Sequence, residues 1–391
     1  MRIENPLRLV VIVLAATALA VLMAVQMASS LATRPAPHTA ISLMPINGLA
    51  TERAAFLDFR MGVGEATDPS ALTASAGEVE QLALAAIQRE PLLPKAHAIL
   101  ALAQANVQNR SAISEAAVLL NRRDASLQGV LLQDQIARSD IPAAVATVDR
   151  IMRVNPESSE QFYPILLSAL KERDGSEPLV RLIEEGSPAM DGFLRFAVEQ
   201  DDALPRLADL RENFVLVSEA FDRRLVNKLA GIGDFEAAER IYFAAAGRPA
   251  QSSALDWLVD YPPLDWRLSN AAGLRAQTVR NGPGVEINVR PGRSGLLMQR
   301  FIRTPVGPFE VRIGHSLAPA AQLEDVQLQL SCGLGRGPFL AGAFAEGTSS
   351  FSVEQVPLEC DFMQLAIFAR MATARSRLRG EIQSVELLPI E

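Results

Sequence analysis

Aromatic rings beside planar polar groups are what proteins use to grip the face of a sugar. This chain gathers such groups in one place. Trp257, Tyr261, Asp265, Trp266 and Arg267 lie in or just before "YPPLDWRLSN", residues 261–270. Two kinds of chemistry suit them. Rings left in water would form a stacking shelf for a glycan, with Asp265 and Arg267 bonding its hydroxyls. Buried rings would instead pin a domain to the segment before it. Strand alternation in "LDWRL" sets Leu264, Trp266 and Leu268 on one face and Asp265 and Arg267 on the other. That pattern favours packing for Trp266. Trp257 and Tyr261 precede the double proline, which favours a domain junction.

Other reactive side chains are few. Cys332 and Cys360 are the two cysteines of the chain. In an exported protein an even number suggests a bridge, here closing a loop worth roughly 3–4 kcal/mol on the chain-entropy model. Two buried free thiols are the alternative. Without a cluster of His38, His97 and His315, which are scattered, two thiolates do not fill a tetrahedral zinc shell. "PGRSGL", residues 291–296, misses the G-x-S-x-G elbow because Leu296 stands where its last glycine belongs. "CGLGRGPF", residues 332–339, has glycines at phosphate-loop spacing, but the pattern after it is a strand rather than a helix, so it reads as a turn. No catalytic, cofactor-binding or metal-ligating residues are expected, and the chain is read as a non-enzyme.

The chain has 391 residues, 49% of them hydrophobic, enough for more than one core. Its net charge is −8, with the acidic excess in residues 50–261 and near balance after them. Neither part has the basic surplus that phosphate backbones require, so nucleic acid is not an expected partner. Arg2 and Arg8 precede an uncharged run, "LVVIVLAATALAVLMAV", from Leu9 to Val25. Residues 1–34 are therefore expected to be a transmembrane signal-anchor, contacting an inner membrane through residues 7–30, with the N-terminus cytoplasmic. A cleaved signal peptide is the competing reading, since "SLA" at Ser30–Ala32 offers small residues to a peptidase. Either way the bulk of the chain is exported. Residues 35–77 read as a periplasmic linker, from the prolines of "RPAPHTA" and the small polar residues of "GEATDPSALTASAG", with a short helix expected between them at "ERAAFLDFRMGV".

From 78 to 260 the apolar spacing is helical and it repeats. Turn marks recur at Glu90–Pro91, Arg123–Asp124, Asn155–Pro156 and Ser187–Pro188, spaced 33, 32 and 32 residues apart, with two apolar stretches between marks. "GIGDFEAAERIY", residues 231–242, and "RSDIPAAVATVDRIMRVNP", residues 138–156, resemble tetratricopeptide repeats, although "EEGSPAMDGFLRFAVEQDDALPRLADL" fits by spacing alone. The resemblance implies an α-solenoid that holds other proteins. Glu184–Glu185 and Asp201–Asp202 read as solvated helix faces.

Residues 261–391 switch to a period of two. "AQTV", "GVEINVRP", "LLMQRFIRTP", "FEVRIGHSL", "VQLQLSC", "SFSVEQV", "MQLAIFARM" and "GEIQSVELLPI" predict short strands of an antiparallel β-sandwich. Through "LDWRL", "LLMQRFIRTPVGPFEVRIG" and "GEIQSVELLPI" this part resembles the carbohydrate-binding or galactose-binding-like jelly rolls. The whole is a multidomain α and β chain. Helical repeats joined to such a jelly roll behind one anchor look like proteins of polysaccharide systems. The resemblance implies a single-pass protein of a bacterial inner membrane, with its bulk periplasmic. Such a protein would be a non-catalytic scaffold or adaptor for other envelope proteins in envelope or exopolysaccharide biosynthesis and export. The alternative is a lectin-like module that binds polysaccharide, with the repeats as its spacer.

Overall fold

The computed structural model describes residues 6–64, 68–213, 218–246, 254–280, 282–335, 337–374 and 376–390. Arg2 thus lies outside the described residues, as does the side chain of Arg8. Helices come first: α1 (Pro6–Ala32), α2 (Pro37–Leu43), α3 (Gly48–Val63), α4 (Pro69–Glu78), α5 (Glu80–Arg89), α6 (Pro94–Leu102), α7 (Val107–Leu120) and α8 (Ala125–Ala137). They continue with α9 (Ile141–Val154), α10 (Tyr163–Lys171), α11 (Arg173–Glu184), α12 (Pro188–Ala197), α13 (Leu204–Asn213), α14 (Glu219–Gly231) and α15 (Phe235–Ala246). Strands follow: β1 (Arg267–Leu268), β2 (Asn270–Ala271), β3 (Leu274–Thr278), β4 (Val285–Val289), β5 (Ser294–Arg303) and β6 (Phe309–His315). The last are β7 (Val326–Cys332), β8 (Pro338–Ala343), β9 (Thr348–Val353), β10 (Phe362–Arg370) and β11 (Leu378–Pro389). Two compact units result, Met1–Leu179 and Val180–Glu391. The boundary expected at residue 261 therefore falls inside the second unit, where the last helices and the sandwich belong together.

In the first unit, Leu9–Ala32 of α1 is long and apolar enough to cross a membrane, with a mean hydropathy of 2.6. Its C-terminal end is built into the fold. Ser29 and Thr33 are buried. Ser29 Oγ donates to the Ala40 carbonyl at 3.0 Å, and Asn47 Nδ2 donates to Ser29 Oγ at 2.9 Å and to Thr33 Oγ1 at 3.2 Å. Asn47 also caps α3, its Oδ1 accepting from Ala50 N at 3.0 Å. The residues flanking the peptidase-like "SLA" are thus structural parts of the helical body.

The tether expected over 35–77 is corrected by the same region. Two of its four prolines start helices, Pro37 in α2 and Pro69 in α4, because a fixed φ and a missing N–H cost nothing in a first helical turn. Its small residues are packing surface: Ala40, Ala50, Ala54, Ala55 and Ala76 are fully buried. Glu52 of α3 reaches the start of α6, accepting from Lys95 N at 2.7 Å and Ala96 N at 3.3 Å, where Leu93 supplies no side-chain cap. Beyond it the turn marks fall between helices. Glu90 ends α5, Asp124 caps α8, Asn155 follows α9 and Ser187 precedes α12, so each interval between marks holds a helix pair.

In the second unit the sandwich has a five-stranded sheet, β1-β5-β10-β7-β8, and a six-stranded sheet, β2-β3-β4-β11-β6-β9. Every neighbouring pair runs antiparallel. Alternation does the work: Val326, Leu328, Leu330 and Cys332 of β7 enter the core with Val285, Ile287 and Val289 of β4. Two differences from the pattern have simple causes. β1 is two residues long because a turn at 262–264 and a bend at Asp265 occupy the stretch just before it. β8 is Gly- and Ala-rich, "PFLAGA", and shows no apolar alternation. Cys332 and Cys360 are bonded, with Cα atoms 5.2 Å apart. Their loop carries the chain from β8 in one sheet to β9 in the other.

Asn47→Ala is expected to destabilise the first unit by about 1–3 kcal/mol, since a cap is lost and two buried hydroxyls lose their donor. Thermal unfolding of the detergent-solubilised protein measures it. An unchanged midpoint, or a membrane-extracted chain lacking residues 9–32, would contradict this account of the α1 end.

Candidate functional site

The five residues singled out around the double proline form a packed junction. Asp265 is 0% exposed and Trp266 1%. Asp265 Oδ1 accepts from the Tyr242 hydroxyl of α15 at 2.9 Å, and Oδ2 accepts from Tyr261 N at 3.0 Å. Tyr261 meets Tyr242 edge-on, with centroids 5.7 Å apart, and burial pushes its hydroxyl above the ordinary tyrosine range. Trp266 donates from Nε1 to the Asp256 carbonyl at 2.9 Å and stacks on Trp257 with centroids 5.5 Å apart. Trp257 is half-buried and donates to the Gln383 carbonyl at 3.3 Å. Arg267 is exposed and held by Asn227 of α14 at 2.8 Å. The turn and bend over residues 262–265 break the alternation, so Asp265 turns inward with Trp266 rather than away from it. These rings do not form an exposed shelf.

Neighbouring residues that the sequence did not flag complete the junction. Phe235 of α15 stacks on Phe301 at 4.6 Å and on Phe362 at 5.5 Å between centroids. Arg303 bonds Glu239 at 2.6 Å and lies over Phe362. Arg300, on the core side of β5, is buried and donates to the Asp256 side chain at 3.0 Å and to its carbonyl at 3.2 Å. "DFEAAERIYF" carries the helix side of this contact, but its aromatic positions read equally as repeat core.

The scattered histidines are each held locally. His38 bonds Asp58 at 2.9 Å and His97 the Pro91 carbonyl at 2.8 Å. His315 has a definite tautomer. Leu317 N donates to Nδ1 at 3.3 Å, so Nε2 carries the proton and donates to the Ala345 carbonyl at 2.9 Å. Burial holds this imidazole below the ordinary histidine value. Ser294 of "PGRSGL" opens β5 after a turn, and the described glycines of "CGLGRGPF" make the β7–β8 turn, with Gly333 at φ 56° and Gly335 at φ 74°. Arg336 of that motif lies outside the described residues. Glu184, Glu185, Asp201 and Asp202 are exposed. Among the described residues no three His, Cys, Asp or Glu side chains gather as metal ligands. A cleft of about 450 Å³ opens between the α14–α15 turn and the disulfide end of the sandwich, lined by Asp234, Phe235, Leu334, Glu359, Asp361 and Phe362 among others.

The two sheets differ on their outer faces. Strands of the six-stranded sheet turn Arg275, Glu286, Glu310, Arg312, Glu381 and Glu386 outward, the solvated face expected of an antiparallel sheet. The five-stranded sheet carries outward charge only toward its margins, at Arg267 of β1, Arg303 of β5 and Arg370 at the end of β10, and β7 and β8 have no charged residue. Register places Gln299 of β5, Ala366 of β10, Gln329 of β7 and Ala341 of β8 in one row. Gln364 and Ser331 lie on one side of that row, and Phe368 and Gln327 on the other. Gln364 donates to Gln299 at 2.7 Å and accepts from Ser331 at 3.2 Å. Alternating glutamines in "VQLQLSC" are the sequence signal for this face, read earlier only as strand periodicity.

No family model matches the chain, and no curated protein matches it. Solved structures do. The TmCBM61 module in complex with beta-1,4-galactotriose is similar over 35% of this chain and 99% of its own, at 11% identity and a TM-score of 0.23. An arabinose-bound MgGH51 α-L-arabinofuranosidase is similar over 35% of this chain and 26% of its own, at 11% identity and a TM-score of 0.25. Both likenesses are weak.

Trp266→Ala is expected to cost about 3–5 kcal/mol by leaving a cavity. Thermal unfolding reads the cost, and an unshifted midpoint would mean that the ring is not a core group. For His315 the linkage sign follows from its lowered folded pKa. Above about pH 6.5 folded and unfolded chains both hold a neutral ring. Below it the unfolded chain takes the proton first, so stability falls as the pH falls. His315→Gln should flatten that decline in melting temperature between pH 7.5 and 5.5.

Proposed function

We propose that this chain is a non-catalytic scaffold anchored in a bacterial inner membrane by α1. In this reading the N-terminus is cytoplasmic, the bulk of the chain is periplasmic, and its tetratricopeptide-like helix pairs hold other envelope proteins of an exopolysaccharide biosynthesis and export system. The observation that carries the reading is the buried Asp265 contact. It ties Tyr242 of the last helix pair to the start of the sandwich, so the sandwich and α14–α15 act as one piece. A lectin on a mere spacer has no need of such a joint. The disulfide suits an oxidising compartment, and α1 suits a membrane by length and composition. A second reading, that the sandwich also binds polysaccharide, is favoured by the amide-rich face of the five-stranded sheet.

Topology and partners are both testable in the producing bacterium. A phosphatase fused after residue 391 should be active only outside the cytoplasm, with the protein in the membrane fraction. Photocrosslinkers at exposed helix positions such as Glu184 and Arg224 should give discrete adducts with envelope proteins. An inactive fusion would reverse the orientation. Adducts absent at every helix position tried would remove the scaffold.

A further inference from the structure

A water-facing sheet face is ordinarily solvated by charge, and the six-stranded sheet follows that rule. The five-stranded sheet follows it only at its margins, at Arg267, Arg303 and Arg370, and leaves its middle to amides and small residues, although the sandwich half has charged residues in abundance. Between Phe362 and Arg370 the outward positions of β10 are Gln364, Ala366 and Phe368, and those of β7 facing them are Ser331, Gln329 and Gln327. Beyond β7, outward Ala341 and Ala343 of β8 are exposed and short. The result is a trough. Alanines make its floor, amides its walls, and one half-buried phenyl ring stands at its side.

Three properties of the trough define what it can hold. A primary amide both donates and accepts, which matches a hydroxyl, itself donor and acceptor. Gln364 is fixed by Gln299 and Ser331, whereas Gln327 and Gln329 have no side-chain partner among the described residues and keep their capacity for a ligand. The Phe368 ring offers an apolar face to the C–H side of a sugar. Arg370, exposed at the end of β10, is the one charged residue in β10, β7 and β8, so an ionic polymer finds little charge to meet along the trough. The covered end is also defined, because Phe301 and Phe362 lie under Phe235 of α15, so the open part runs along β10, β7 and β8 away from the helices.

We infer that this face binds an uncharged, hydroxyl-rich polysaccharide chain, with Gln327 and Gln329 bonding its hydroxyls and Phe368 stacking on a sugar ring. The inference rests on the second reading above, that the sandwich binds polysaccharide, and adds the face and the ligand class. It is independent of the scaffold reading.

The test uses the full-length protein in detergent. Binding is measured on a glycan microarray carrying neutral and acidic oligosaccharides, and by affinity electrophoresis with galactan, dextran, hydroxyethylcellulose and alginate. Binding to at least one neutral glycan, little changed between 50 and 500 mM salt, is expected. Gln327→Ala with Gln329→Ala, and separately Phe368→Ala, should each weaken it at least tenfold. Melting temperatures should stay near wild type, since these side chains lie outside the core. If Phe368→Ala melts early, Gln329→Lys supplies the same block from a position facing solvent. No binding to any neutral glycan would sink the polysaccharide reading itself. Binding that survives all the face variants would sink this face and leave that reading standing. Retention by alginate alone, falling steeply with salt, would overturn the ligand class.

Discussion

One buried carboxylate organises the second unit. Asp265 has no exposed surface, and an ionisable group without water must be given partners by the fold. It finds them in the Tyr242 hydroxyl of α15 and the Tyr261 amide ahead of the sandwich. Those bonds set where α15 lies, and α15 then brings Phe235 onto Phe301 and Phe362 and Glu239 onto Arg303. The end of β5 and the start of β10 are covered as a consequence. What is left open on that sheet is the amide trough, so the extent of the proposed ligand face follows from a single polar contact some distance away.

Legibility in the sequence tracked the range of the interaction. The α1 stretch, the helix pairs and most of the strands were readable because hydrophobic periodicity is local, and the turn marks from Glu90 to Ser187 all fell between helices. The two cysteines were paired correctly by parity and address. Residues 35–77 were misread because proline and alanine mean different things in a linker and in a first helical turn, and only tertiary partners such as Glu52 with Lys95 decide between them. Asp265 was placed on the wrong face since alternation was applied to a turn. β8 went unseen because its apolar partners, Leu330 and Phe351, come from other strands.

Of the site, the sequence pointed to the junction residues and left their role open between shelf and packing. Tyr261, Asp265 and Trp266 are buried in packing, while Trp257 is half-buried and Arg267 exposed. The trough was invisible for a different reason: a glutamine's value for recognition depends on which neighbours share its row, and rows join residues as distant as Gln299, Gln329 and Ala366. No window along the chain contains that information.

The knot of Ser29, Thr33, Ala40 and Asn47 bears on where this molecule can do its work. With α1 in a bilayer, there would be no slack between the membrane and the first unit. Reach, which a flexible leash would supply at the expense of effective concentration, is given up. Encounters with other membrane-bound components become a search in two dimensions at a held height. In the proposed scaffold, a membrane-bound partner would have to present its surface at that height above the lipid.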